Sequence, residues 1–115
     1  MTLRDLIGGI QQEVSKGDLM PERAAELLNQ LSALIGNVND QIMMTDAEYN
    51  KVLLHNLDNE KKANRAKIIA ESSPEFMAKQ QARNTKELVI EMQRSLKYYL
   101  TAKKEEQQAS RFLRG

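Results

Sequence analysis

The chain has 115 residues and a formal net charge of +1, with 4% aromatics, two Pro, no Trp and no Cys. That is the length of one domain, and the absence of cysteine excludes disulfides, thiolate catalysis and Cys-type zinc sites while suiting a cytosolic setting. A mean hydropathy of −0.59 is low for a globule, yet the patterned Leu and Ile exclude a disordered chain and favour a helical assembly sharing its core with a second copy.

Thr2 caps a short first helix, with Asp5 at the capping-box position and Leu3, Leu6, Ile7, Ile10 and Val14 on one face. Gly17, just after Lys16, supplies the C-cap. Gly8-Gly9 inside this helix costs about 1 kcal/mol per residue relative to Ala, so the pair calls for either a closely approaching helix or a break. A second helix opens at Pro21, with Glu22 near its positive end. Its apolar row is Ala24, Leu27, Leu28, Leu31, Leu34, Ile35, Val38 and Ile42, loosened in the middle by Gly36-Asn37.

Thr45-Asp46-Ala47-Glu48 reads as a second capping box and predicts a third helix over residues 46–71, with its fusion to the second helix left open. Its apolar start at Tyr49, Val52, Leu53 and Leu57 gives way to Glu60, Asn64 and Lys67, the pattern of an arm leaving the core. Ser72-Ser73-Pro74-Glu75 then ends it: Ser73 caps, Pro74 takes the first position of the next helix, and the reversal makes an antiparallel hairpin. Ile68, Ile69, Phe76 and Met77 are expected to cluster at the tip, with Ile69, Phe76 and Met77 as candidate protein contacts. The fourth helix runs from Pro74 to about Phe112, roughly 55–60 Å. The expected fold is therefore all-α: one domain in which short N-terminal helices (1–44) pack against a long antiparallel helical hairpin (45–115) with its turn near 72–74.

Charge is divided unevenly along the chain. Residues 1–50 carry three basic and eight acidic side chains, and residues 51–115 carry fourteen basic and eight acidic. At about 100° per residue from Lys79, the positions Arg83, Lys86, Arg94, Lys97, Lys104 and Arg111 all fall within about 60° of zero. The expected apolar face of Leu88, Met92, Leu96 and Tyr99 centres near about 210°, which sets a basic stripe opposite the core for about 48 Å. Like charges at these spacings repel, and an anionic partner relieves them. Lys79, Arg83, Lys86, Arg94, Lys97, Lys104 and Arg111 are thus candidate anion-binding residues, and Tyr98 beside them is a candidate stacking group for an exposed base. The bland alternative is a solvated outer face.

Nothing in the sequence assembles a catalytic constellation. His55 is the only histidine and Gly8-Gly9 lacks the context of a phosphate-binding loop, so neither a metal, a cofactor nor an enzymatic role is expected. No apolar run approaches the roughly 20 residues of a membrane span, and the start Thr2-Leu3-Arg4-Asp5 lacks a signal-peptide pattern.

The strings Ala70-Glu71-Ser72-Ser73-Pro74-Glu75-Phe76 and Glu87-Leu88-Val89-Ile90-Glu91-Met92-Gln93-Arg94-Ser95-Leu96-Lys97-Tyr98-Tyr99-Leu100 resemble small helical accessory proteins of tailed phages. The likeness covers residues 70–106. It implies a non-enzymatic accessory protein working in the cytoplasm of the host cell. Three readings remain open: a binder of nucleic acid or of an acidic protein surface, an inhibitor or anti-defence protein docking on a host or phage protein, and a homo-oligomeric sponge for small nucleotides.

Overall fold

The computed structural model describes the backbone of residues 2–114 and the side chains of residues 2–111. It contains four helices, α1 (Leu3–Ser15), α2 (Pro21–Asn59), α3 (Ala63–Glu71) and α4 (Pro74–Arg114), and no strand among the described residues. Two compact units share the long helices. One comprises Met1–Ile35 and Leu88–Gly115, the other Gly36–Glu87.

In the first unit, α1 opens on a reciprocal box: the Thr2 hydroxyl accepts from the Asp5 amide, and the Asp5 carboxylate accepts from the Thr2 amide, each at 3.1 Å. Gly8 and Gly9 do not break the helix, and no other described part of the chain approaches within 4 Å of where a Cβ would stand on either. Gly17 ends it with φ of 81°, a left-handed conformation that costs glycine nothing. Arg23 of α2 then grips Glu13 of α1 with two nitrogens, at 2.5 and 2.8 Å, and reaches Glu26 at 2.8 Å. Ile7, Ile10, Ala24, Leu27, Leu31, Val89, Met92 and Leu96 form the core of this unit. The Tyr99 hydroxyl donates to the Leu19 carbonyl, and the Gln93 amide donates to Ser32 Oγ at 3.2 Å, so α2 and α4 run antiparallel here.

The expected start of a helix at Thr45 is corrected: α2 passes through it without interruption. Ala24, Leu28, Leu31, Ile35, Val38, Ile42, Thr45, Tyr49, Val52 and Asn56 recur in strict 4-3 alternation, and every one is buried or half-buried. A 3.5-residue repeat of this kind keeps one seam facing a partner helix, so the tertiary contact holds the helix straight through a local capping signal. The Thr45 hydroxyl donates back to the Gln41 and Ile42 carbonyls, and Glu48 pairs with Lys51 at 3.3 Å instead of closing a box. Gly36-Asn37 likewise leaves the helix intact.

The break comes later, at residues 60–62, inside the expected third helix. The seam there turns to Asn56 and Asn59, whose side-chain amides donate to the Val52 carbonyl at 2.8 Å and the His55 carbonyl at 2.7 Å. With no apolar side chain to hold it and amides competing for its carbonyls, the helix stops. Lys62 is extended and α3 begins beyond it. The second unit closes on Val38, Tyr49, Ala66, Ala70 and Ala82, a core dominated by alanine. Ser73 caps α4 by accepting from the Phe76 amide at 3.2 Å, and Pro74 is its first residue.

A basic face on the distal half of α4

The buried side of α4 is not where the sequence pattern alone puts it. Ala82, Val89, Met92 and Leu96 are buried, with Thr85 and Tyr99 half-buried between and after them. On the scale that sets Lys79 at zero, these buried positions centre near about 265°, against the expected 210°. The difference arises because spacing of seven and three or four selects one seam, Ala82-Thr85-Val89-Met92-Leu96-Tyr99, from a wider apolar arc. Leu88, expected on the core face, is only half-buried.

In the second unit the first two stripe residues meet α2. Lys79 places its ammonium 4.4 Å from the centre of the Tyr49 ring, a cation–π contact. Arg83 donates to Asp46 Oδ2 at 2.8 Å, while Asp46 Oδ1 is buried without a partner. Lys86 is half-buried. Lys79 and Arg83 are therefore engaged within the chain and are not left as free cations. Phe76 also turns inward, its ring centroid 5.4 Å from that of Tyr49. The expected tip cluster does not close around it, since Ile68, Ile69 and Met77 remain 65%, 40% and 69% exposed.

The distal residues behave differently. Arg94, Lys97, Lys104 and Arg111 are all exposed, and none takes part in an ion pair among the described residues. Tyr98 is 81% exposed, with its ring among them. Arg94, Lys97, Tyr98, Thr101, Ala102 and Glu105 lie together on one open face of α4. Thr101 and Glu105 share this face at about 40° and 80°, as helical spacing from Lys79 places them. Past Leu100, α4 has no buried side chain among the described residues; Lys103, beside the Tyr99 ring at 5.8 Å and paired with Glu106 at 3.4 Å, is its last half-buried one.

No family model, curated protein or solved structure matches the chain. Function therefore rests on geometry. Among the described residues no group of His, Asp or Glu side chains is placed to hold a metal ion, and no helix is long and apolar enough to cross a membrane. What the distal face offers is four cations outside any ion pair, the Glu105 carboxylate, a hydroxyl and an exposed aromatic ring. Such a set has the chemistry to attract an anion.

Proposed function

We propose that the chain is a non-enzymatic nucleic-acid-binding accessory protein that holds a phosphate backbone along Arg94, Lys97, Lys104 and Arg111. The observation that carries this reading is the exposed, unpaired state of those four cations around the open Tyr98 ring. Arg94 to Arg111 spans about 25 Å of helix, close to seven phosphates measured along one strand of a duplex. Counterion release supplies the affinity, and Tyr98 adds stacking on an unpaired base at about 1–3 kcal/mol. Lys79, Arg83 and Lys86 are left out of this surface, because α2 already engages the first two and the third is half-buried. The resemblance of residues 70–106 to tailed-phage accessory proteins supports the accessory character of the role.

Fluorescence anisotropy with labelled single-stranded and duplex oligonucleotides tests it. With about four phosphates neutralised, raising salt from 50 to 200 mM should weaken single-strand binding by about 50-fold. Arg94→Glu with Lys97→Glu should weaken binding to all sequences alike, and Tyr98→Ala should weaken single-strand binding more than duplex binding. If the chain ignores both oligonucleotides at 50 mM salt, the reading fails. Displacement of the oligonucleotide by an equal concentration of mononucleotide would favour the small-nucleotide sponge instead.

A further inference from the structure

From Arg94 onward the exposed side of α4 divides into two rows. Arg94, Lys97, Thr101, Lys104, Gln108 and Arg111 follow each other at intervals of three, four, three, four and three. All six are exposed and all carry a hydrogen-bond donor. They set one donor about every 5 Å along about 25 Å of helix. About 100° round the helix runs a second row of Tyr98, Ala102, Glu105 and Ala109, spaced four, three and four, likewise exposed and without a cation. The Tyr98 ring is open to solvent, and the two alanines leave low ground beside it. Glu105 has no basic residue three or four places away, where Thr101, Ala102, Gln108 and Ala109 stand, and it enters no ion pair among the described residues. The neighbouring Glu106, by contrast, is occupied by Lys103 at 3.4 Å.

We infer that the ligand of this face is a single strand, its phosphates on the first row and its bases turned onto the second, and that Glu105 selects guanine among them. The inference rests on the nucleic-acid reading above and narrows it. Over about 25 Å a duplex strand winds through most of a helical turn of about 34 Å, which carries its phosphates off a straight row. A single strand is free of that winding and follows the row while its bases stack and pair with side chains. At a side-chain radius of about 5 Å, the step between the rows is about 9 Å, a distance that a nucleotide bridges from phosphate to base.

Glu105 decides the base. A carboxylate beside a phosphate-binding row opposes binding through like-charge repulsion unless it accepts from the ligand. When ionised it is an acceptor only, with two oxygens side by side. Guanine presents two adjacent N–H donors on its Watson–Crick edge, the ring N1–H and the 2-amino group, and so matches both oxygens. Adenine and cytosine set a ring-nitrogen lone pair beside their amino group, and thymine and uracil set carbonyls on both sides of their one N–H. Each of these turns an acceptor toward the carboxylate.

Fluorescence anisotropy at 50 mM salt with a labelled oligothymidylate, and with the same strand carrying one central guanine, inosine or adenine, tests this. The guanine strand should bind about fivefold more tightly than the all-thymine strand. Inosine keeps N1–H but lacks the 2-amino group, and it should lose most of that advantage, as should adenine. Glu105→Ala should bind the all-thymine strand more tightly than the wild type does, while the guanine-to-thymine ratio falls to about one. Glu105 is exposed and lies past the buried part of α4, so the variant should keep its helical circular dichroism. A Glu105 that only repels phosphates would raise affinity for every strand alike and leave the ratio unchanged, which overturns the proposal. Equal wild-type affinity for the guanine and all-thymine strands also overturns it, yet leaves the phosphate-backbone reading standing. A duplex held as tightly as the single strand overturns the strand assignment, and binding of no oligonucleotide at all removes both readings together.

Discussion

Single side chains in this molecule are decided by the partner helix they meet. Arg83 and Arg94 have the same chemistry and sit on the same helix, yet one is occupied by Asp46 and the other is free. The difference is the acid that α2 places opposite. Arg23 shows the same logic at α1: its hydrogen bonds hold the Glu13 carboxyl below the usual glutamate range, and the amide and hydroxyl of Thr2 hold Asp5 low as well. A carboxyl lowered in the folded state stabilises the fold fully above its unfolded value and loses that contribution as pH falls through the folded one. Urea midpoints should therefore decline as pH drops below about 4.5. Glu13→Gln should lower the midpoint at neutral pH and flatten this acid decline. An acid limb identical in the variant would show that the Arg23 contact contributes nothing.

At the scale of elements, local signals hold where no long-range seam opposes them. The Thr2 box, the Gly17 cap and the Ser73-Pro74 start of α4 lie at chain reversals, where capping groups have no competitor. The Thr45 box lies inside a heptad seam and loses, because leaving the helix there would expose Tyr49 and Val52, which the seam buries or half-buries. Glycine placement makes a separate test. Gly8 and Gly9 have open space above them and are not in a left-handed conformation, so Ala at either should raise stability by about 0.5–1 kcal/mol. Gly17→Ala should lower it by about 1 kcal/mol, since φ of 81° strains any L side chain. Thermal unfolding of the three variants separates the cases, and a loss of stability in Gly8→Ala would mean that something packs there in solution.

For the molecule as a whole, the two units differ in what holds them. The first buries Ile7, Ile10, Leu27, Leu31, Met92 and Leu96, while three of the five buried positions of the second are alanines. A buried leucine contributes about 1.5–3 kcal/mol through removal of apolar surface, several times what alanine can supply. Amides of α3 should accordingly exchange with deuterium faster than those around Leu31 and Leu96. Uniform exchange across both units would contradict the assignment.

Helix content, the first cap and the reversal before Pro74 are properties of the sequence itself, because 3.6-residue periodicity, Ser and Thr caps and proline act over a few residues. The basic character of α4 belongs to the same class. Which of its cations remain free was decided only in tertiary structure: several apolar positions were available to face α2, and burial chose the Ala82-Val89-Leu96 seam. In the second unit Lys79 and Arg83 are met by Tyr49 and Asp46 of α2. The basic surface therefore shrank to Arg94, Lys97, Lys104 and Arg111, because only beyond Arg83 does α2 offer these cations neither an acid nor a ring.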